Sequence, residues 1–231
     1  MVIKRFYYTM KFNNNQSFVT SWSGGKDSCF ALMEAVKLNG KPKVLMNMMN
    51  ENGLVSRSHA IPEKILHQQA IELGLPMITV PSTWNDYERN FINTLRQLVE
   101  EYEINSAVFG DIDFDSNRAW EEKVCEAAGI TPILPLWKQD RKDLVIKMLA
   151  EGLHCVIVSC NQQLGEGFLG KKLDDDLINR LEELDADVCG ENGEYHTLVV
   201  NCPLYRNELN VEFLAKRKHN NYWFLEMKLK P

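Results

Sequence analysis

Two patterns of hydrophobic and polar positions alternate along the first half of the chain. Short apolar runs fit buried strands, and longer stretches repeat their apolar residues every three or four positions, as amphipathic helices do. The pattern predicts strands at Ser17–Trp22, Lys43–Met48, Met77–Val80 and Ala107–Phe109, and helices at Asp27–Leu38, Pro62–Leu73 and Asp86–Glu103. Strands alternating with helices indicate a Rossmann-like α/β fold, with helices on both faces of a parallel sheet.

Glycine followed closely by proline marks where the helices should end. The pairs are Gly40 and Pro42, Gly74 and Pro76, and Gly129 and Pro132. Glycine tolerates the left-handed conformation that ends many helices, and proline does not continue a helix. These boundaries therefore rest on local chemistry as well as on hydrophobic periodicity.

The pattern changes near Thr131–Lys138, where a proline-rich run replaces the regular alternation. Beyond this run, the sequence predicts helices at Asp140–Glu151 and Asp174–Leu184, a strand at His154–Ser159, and a strand-rich end. We therefore expect two domains, one at residues 1–135 and a smaller α+β domain at residues 136–231.

Composition and charge narrow the classes of protein. The 231 residues are 45% hydrophobic and 25% charged, and their net charge of -6 argues against stable binding to long nucleic acids. No apolar run is long enough for a membrane span, and the amino-terminal MVIKRFYYTMKFNNNQ lacks the apolar centre of a signal peptide. We expect a cytoplasmic protein without a membrane partner. A homo-oligomer is left open.

The six cysteines are scattered along the chain without a CxxC pair. This spacing suits neither a disulfide framework nor a zinc site, so we expect reduced, buried thiols.

A glycine loop follows the first predicted strand and opens the first predicted helix. Its sequence is Ser23-Gly24-Gly25-Lys26-Asp27-Ser28. Glycines let the backbone approach a phosphate closely, and a helix amino terminus attracts anions. The serine hydroxyls add hydrogen bonds and Lys26 adds positive charge, whereas Asp27 suits a helix cap or a divalent cation. The spacing is not that of a Walker loop. We interpret this loop as a phosphate site.

A second polar loop lies near the carboxyl terminus and reads Gly190-Glu191-Asn192-Gly193-Glu194-Tyr195-His196-Thr197. Its residue types alone fit either a solvated hairpin turn or a binding loop.

The two loops carry a resemblance to known families. SGGKDS resembles the SGGxDS loop of the ATP-pyrophosphatase superfamily, and GENGEYHT is similar to a signature of the diphthine–ammonia ligase family. Further motifs of that family stand in the same order, namely Ser56-Arg57-Ser58-His59, Gly110-Asp111-Ile112, Leu134-Pro135-Leu136-Trp137 and Phe168-Leu169-Gly170. The resemblance covers most of the chain from residue 17 to about 204.

This resemblance implies a nucleotide-binding domain followed by a domain that shapes the substrate cleft. It implies ATP and Mg2+ as cofactors, and amidation of diphthine, a modified histidine of elongation factor 2, with ammonium and release of AMP and pyrophosphate. Acidic residues with an aromatic face, either Tyr195 or Trp137, would suit the quaternary ammonium group of diphthine.

Roles for individual residues follow from the resemblance. Those expected at the nucleotide are Ser23, Gly24, Gly25, Lys26, Asp27, Ser28, Met48, His59, Gly110 and Asp111. Those expected at the acceptor are Glu191, Asn192, Gly193, Glu194 and His196. The expected catalytic residues are Lys26, Asp27, Glu194 and His196, with His196 as a base for the incoming amine. Core packing is the alternative for Met48, a strand-end turn is the alternative for Asp111, and the metal ligands are left open.

Two other functions share parts of this pattern. One is an enzyme of the same superfamily that adenylates a tRNA base or a small carboxylate. The other is a module that senses ATP without cleaving it. The absence of a CxxC pair and the acidic charge weigh against sulfur transfer to tRNA, and a sensor leaves the GENGEYHT loop without a purpose.

Overall fold

The computed structural model describes residues 16–230 and contains two sheets. The first is a parallel sheet of five strands in the order β3-β2-β1-β4-β5. Its strands are β1 (Ser17–Ser21), β2 (Lys41–Met49), β3 (Met77–Pro81), β4 (Ser106–Val108) and β5 (Thr131–Ile133). The helices that connect them are α1 (Lys26–Lys37), α2 (Glu63–Leu73), α3 (Tyr87–Tyr102) and α4 (Asp115–Ala128).

The second sheet is antiparallel and has four strands in the order β7-β6-β9-β8. Its strands are β6 (His154–Asn161), β7 (Tyr195–Asn201), β8 (Val211–His219) and β9 (Tyr222–Leu229). Helix α5 (Arg141–Ala150) leads into this sheet, and a short 3-10 helix (Glu166–Phe168) and α6 (Asp175–Glu183) lie between β6 and β7.

Alternate side chains of the parallel sheet enter two separate clusters. Phe18 of β1 packs with α1, α2 and the buried side chains of the antiparallel sheet. Val19, the next residue, packs on the other face with α3 and α4. Successive strand residues point to opposite faces, so this alternation places helices on both sides of the sheet. The expected α/β fold with a small second sheet is confirmed.

The strand order reverses at β1, whose neighbours are β2 and β4. In open α/β sheets, ligands bind outside the carboxyl ends of the strands at such a reversal. The chain that follows β1 is the Ser23–Ser28 loop, so the fold places this loop at the expected crevice.

Most of the predicted elements are present within two residues of their predicted ends, whereas α4 was not among them. Three further differences concern local chemistry. The fourth strand is Ser106–Val108 rather than Ala107–Phe109. Thr131–Ile133, within the proline-rich run, is a strand at the edge of the sheet. Proline is tolerated at an edge because it has no backbone N–H to donate to a neighbouring strand. Gly74 and Gly129 end their helices in the left-handed conformation, but at α1 Asn39 takes this conformation instead of Gly40.

Other expectations concern compartment and thiols. In the described part of the chain, no helix is long and apolar enough to cross a membrane. The six cysteines are buried and unpaired, as expected. The amino-terminal segment, for which the sequence predicts no signal peptide, lies almost entirely outside the described residues.

Candidate active site

The glycine loop is packed so closely that side chains are excluded at two positions. Gly24 has a left-handed φ of 84°, and a Cβ there would lie 2.8 Å from Oε1 of Gln69. A Cβ at Gly25 would lie 2.3 Å from Cε1 of His59. Glycine is therefore required at both positions for steric reasons.

Two other segments hold this loop by hydrogen bonds. The Gly24 carbonyl accepts from the Val199 backbone N–H at 2.9 Å and from Nε2 of Gln69 at 3.0 Å. The Lys26 backbone N–H donates to Oγ1 of Thr197 at 3.0 Å. Because Thr197 and Val199 belong to β7, the antiparallel sheet completes the phosphate loop.

Lys26 and Asp27 form an ion pair inside the loop. Nζ of Lys26 donates to both carboxylate oxygens of Asp27, at 2.9 and 2.8 Å, and Lys26 is only 3% exposed. Burial alone would lower the pKa of Lys26, but neighbouring groups, chiefly the Asp27 carboxylate, together hold this pKa well above its usual range. The loop therefore carries a fixed positive charge that is already partly neutralised.

His59 of the Ser56–His59 motif and His196 of the Gly190–Thr197 motif meet beside the glycine loop. The rings of His59 and His196 lie 4.7 Å apart between centroids, and Nδ1 of His59 donates to the Thr197 carbonyl at 2.8 Å. Burial lowers the pKa of His59, and it lowers the pKa of His196 to about 3. Both rings are therefore neutral at pH 7. The role of His196 as a base stays a prediction, and its burial weighs against it.

The segment at residues 187–196, called the acidic loop below, is held largely by hydrogen bonds among its own groups. The Glu194 carboxylate is 8% exposed and accepts from the backbone N–H groups of Asp187 and Asn192 and from Nδ2 of Asn192, at 3.3, 3.1 and 3.1 Å. The Gly193 carbonyl accepts from the Tyr222 hydroxyl at 3.1 Å. Glu194 thus shapes its own loop, and its contact with a substrate stays a prediction.

Arg141 ties the acidic loop to the end of the parallel sheet. Its guanidinium contacts Asp113 at 2.7 Å and Asp187 at 2.6 Å, and it donates to Oδ1 of Asn192 at 3.2 Å. Sequence reasoning did not single out Arg141, Asp113 or Asp187, since isolated charged residues give no motif.

Both aromatic rings proposed for a quaternary ammonium already have a cation of the protein near them. Tyr195 is 1% exposed, its hydroxyl donates to the Val188 carbonyl, and Nζ of Lys26 lies 5.5 Å from its ring centroid. The Trp137 ring already has Lys138 and Arg118 near it, at 4.6 and 5.2 Å.

Carboxylates from the two motifs converge at the crevice. Ligand atoms of Asp27, Cys189 and Glu191 all lie within 4.8 Å of one another. Burial, together with the charges of Asp27 and Asp111, raises the pKa of Glu191 to about 8. Close carboxylates that repel each other would be stabilised by a divalent cation, so Asp27 and Glu191 fit a magnesium site.

Gly110 and Asp111 stand at the end of β4, as expected. A Cβ at Gly110 would lie 2.7 Å from the Asp27 carbonyl carbon, so this glycine lets β4 approach the phosphate loop. Oδ1 of Asp111 accepts from Nδ2 of Asn117 at 2.7 Å.

A cavity of about 140 Å³ opens beside the phosphate loop at the end of β2. Its lining includes Met48 and His59, both predicted, together with Asn47, Arg57 and Trp84. Oδ1 of Asn47 and Nε of Arg57 are buried without a hydrogen-bond partner among the described residues. A ligand with both donors and acceptors would satisfy them.

A Rossmann-like sheet with a glycine loop at its reversal point is the architecture of nucleotide-binding α/β proteins. Residues 16–132 match the family model "Diphthamide synthase N-terminal domain", and residues 141–230 match "Diphthamide synthase C-terminal domain". The chain therefore belongs to the diphthamide synthase family. The resemblance inferred from the sequence is confirmed, and with it the expectation of a ligase enzyme.

Individual relatives agree with this family. The chain is 26% identical over 217 residues to diphthine--ammonia ligase of Danio rerio, covering 82% of this chain and 84% of the relative. It is 26% identical over 219 residues to diphthine--ammonia ligase of Homo sapiens, covering 82% and 80%. A predicted subunit of tRNA methyltransferase from Methanocaldococcus jannaschii is similar in structure, with a TM-score of 0.45 and 17% identity over 81% of this chain and 98% of that one.

Proposed function

We propose that this chain uses ATP to activate a carboxylate and then amidates it with ammonia, and that the carboxylate belongs to diphthine on elongation factor 2. The single observation that carries the proposal is the meeting of the two motif loops at one crevice, where Thr197 binds both Lys26 and His59. The relatives named diphthine--ammonia ligase supply the acceptor and the nitrogen donor.

The nucleotide would occupy the crevice with its phosphates at Ser23–Ser28. The adjoining cavity would take the adenine, whose amino group can donate to the unpartnered Oδ1 of Asn47. The ring of Trp84, which is 72% exposed at the edge of this cavity, can cover the base.

Asp27 and Glu191 would hold the Mg2+ that accompanies ATP. When bound, the ion neutralises phosphate charge, which favours departure of an anionic leaving group. Lys26 pairs with Asp27, and this pairing would hold the Lys26 ammonium beside the same phosphates.

The reaction that these groups support has two steps. An oxygen of the acceptor carboxylate attacks the α-phosphorus, and the bond from that phosphorus to the β-phosphate oxygen breaks, releasing pyrophosphate. Ammonia then attacks the acyl carbon and gives up one proton to water, and the electron pair of the broken acyl–oxygen bond leaves with AMP. His196 and Asn192, beside the crevice and on the acidic loop, would orient the acceptor as neutral hydrogen-bonding groups.

We also propose the division of labour predicted from the sequence, with residues 1–135 binding ATP and residues 136–231 recognising the acceptor. Contacts from β7 of the second domain to the phosphate loop of the first support close coupling between the two domains. In this arrangement, the second domain fixes the loop that holds the nucleotide.

The test is product analysis with ATP, Mg2+, ammonium chloride and elongation factor 2 that carries diphthine. We expect AMP and pyrophosphate in a 1:1 ratio with the amidated acceptor. ADP and phosphate as products would contradict the proposal. Elongation factor 2 lacking diphthine is the control, and equal AMP release with it, or with bulk tRNA alone, would assign the enzyme a different acceptor.

A further inference from the structure

The last strand pair of the antiparallel sheet is exposed and positively charged. None of the residues of β8 is buried, and within residues 16–230 no strand pairs with the edge of β8 that faces away from β9. Residues 211–230 carry five lysine or arginine side chains and two carboxylates, whereas the net charge of the whole chain is -6. An exposed strand edge of this kind is available for contact with another molecule.

The cations are concentrated near the turn that joins β8 to β9. Lys216, Arg217 and Lys218 are consecutive and exposed, and together they are called the basic hairpin end. Successive strand residues point to opposite faces, so both faces of the hairpin are positive here. Arg217, which is 69% exposed, pairs with Glu226, and Lys216 donates to the Glu166 carbonyl. Exposed pairs contribute little free energy, so these cations can also contact a partner.

The basic hairpin end adjoins the acidic loop. Tyr222, the first residue of β9, lies opposite His219 of β8 and opposite Asn161 of β6. The Tyr222 hydroxyl donates to the Gly193 carbonyl at 3.1 Å, and the Asn161 backbone N–H donates to the Glu194 carbonyl at 2.8 Å. A positively charged surface therefore lies beside the loop that we propose to recognise the acceptor.

The charges around this surface favour a protein over RNA as its partner. Asp187, Glu191 and Glu194 of the adjoining loop are carboxylates, so an RNA backbone bound to the hairpin would be repelled where it passes them. A folded protein can instead place acidic side chains on the hairpin and a cationic group in the crevice. The quaternary ammonium of diphthine is such a group.

We infer that the basic hairpin end docks an acidic surface of the protein acceptor while the modified residue of that acceptor enters the crevice. This inference rests on the proposed function, because that function makes the acceptor a protein. It adds a contact region outside the crevice, which a free small carboxylate could not use.

The first experiment measures binding without catalysis. Elongation factor 2 carrying diphthine is immobilised, and association of the full chain is followed by surface plasmon resonance without ATP. Lys216→Glu combined with Lys218→Glu, the hairpin variant, should weaken binding about ten-fold or more, mainly by slower association, because like charges then face each other. The difference from the wild type should shrink at higher ionic strength, where charges are screened.

Lys41→Glu combined with Lys43→Glu is the matched control. These lysines are also exposed and two residues apart on one strand, but they lie at the amino end of β2, away from the crevice. The control changes the net charge equally and should bind within about two-fold of the wild type. Thermal unfolding checks that both variants are folded.

Three results would overturn the inference. They are unchanged binding in the hairpin variant, equal weakening in the control, and tighter binding of bulk tRNA than of elongation factor 2 to the wild type, lost in the hairpin variant. The last result would assign the surface to RNA.

The second experiment measures turnover. The hairpin variant should raise the KM for elongation factor 2 about ten-fold, while kcat at saturating acceptor changes less than about two-fold, because the reacting groups are untouched. A lower kcat with an unchanged KM would contradict docking. If the wild type neither binds elongation factor 2 nor releases AMP with it, the proposed function fails. If the wild type does both and the hairpin variant matches it, the docking alone fails.

Discussion

The two motif loops meet at one crevice but are held in place by different forces. The Ser23–Ser28 loop is fixed by neighbouring elements, through hydrogen bonds with Thr197 and Val199 of β7 and with Gln69, and through close contact with His59. The acidic loop at residues 187–196 ends in β7, and the part before β7 is held mainly by the carboxylates of Asp187 and Glu194 and by the guanidinium of Arg141, together with a hydrogen bond from the Tyr222 hydroxyl. The conformation of the first loop therefore depends on steric packing, and the conformation of the second depends on charged hydrogen bonds.

This difference decides how each loop should respond to change. Steric packing fails abruptly, because an added atom has no alternative place in a close-packed site. A network of charged hydrogen bonds weakens gradually with pH and with the loss of individual partners. Three substitutions separate these behaviours, and they are described from the largest expected effect to the smallest.

The largest effect is expected for Gly25→Ala. The new Cβ would stand 2.3 Å from Cε1 of His59 and 3.1 Å from the Thr197 carbonyl oxygen, so the loop or the ring must move. A displacement of about 1 Å at a reacting centre costs roughly 100-fold in rate. We expect AMP release to fall by about that factor.

Gly167→Ala provides the matched control, since no atom lies within 4 Å of the added Cβ there. AMP release and thermal unfolding of both variants are measured together. If Gly25→Ala keeps more than a third of the wild-type rate while folded, the claim that shape holds this loop is wrong.

An intermediate effect is expected for Glu194→Ala, compared with Ser28→Ala. Removing the Glu194 carboxylate leaves the N–H donors of Asp187 and Asn192 without their acceptor, which loosens the acidic loop. Such a loss typically costs about 1.5–3 kcal/mol, so turnover should fall roughly 10- to 100-fold while ATP affinity stays nearly unchanged. Ser28→Ala should weaken ATP binding first, because Oγ of Ser28 contacts Gly25 and Ser23 inside the phosphate loop.

Calorimetric titration with ATP, paired with AMP release at saturating ATP, distinguishes the two variants. The titration is made without Mg2+, because Glu191 of the same loop is proposed to hold that ion. Should Glu194→Ala then lose as much ATP affinity as Ser28→Ala, the acidic loop would contact the nucleotide itself.

The same contrast explains how far the sequence could be interpreted. The Ser23–Ser28 loop was predictable because a strand, two glycines and a helix start are local signals that agree. The edge strand at Thr131–Ile133 was missed because Pro132 discourages a strand locally, and only its place at the sheet edge permits it.

At the site, the sequence did not reveal which side chains form hydrogen bonds or ion pairs with one another. Glu194 carries the residue type of a binding group, yet its bonds to Asp187 and Asn192 turn it into the support of its own loop. Arg141 lies 46 residues before Asp187, and no periodicity connects such a pair.

The smallest effect is expected for Arg141→Ala, which tests whether charge holds the acidic loop. Arg141 is 24% exposed and pairs with Asp113 and Asp187, which are 29% and 10% exposed. Exposed ion pairs contribute about 0.2–1 kcal/mol, and breaking a buried one costs about 3–5 kcal/mol. For this half-buried network, we expect the free energy of unfolding at pH 7 to fall by about 1–2 kcal/mol, measured by urea denaturation. Arg217→Ala, whose side chain is 69% exposed in a pair with Glu226, should change it by less than about 1 kcal/mol.

The pH dependence of that difference identifies its origin. A hydrogen bond from Arg141 lowers the pKa of Asp113 in the folded protein. The stabilisation is therefore complete above the pKa of Asp113 in the unfolded chain, about 3.9, and it is lost as pH falls through the lower value in the folded chain. The gap between wild type and Arg141→Ala should be constant from pH 7 to about pH 5 and should narrow below about pH 4. A gap that persists unchanged at pH 3 would mean that Arg141 acts through packing, for example against the Phe114 ring 5.4 Å away, and the acidic loop would then depend on shape as the phosphate loop does.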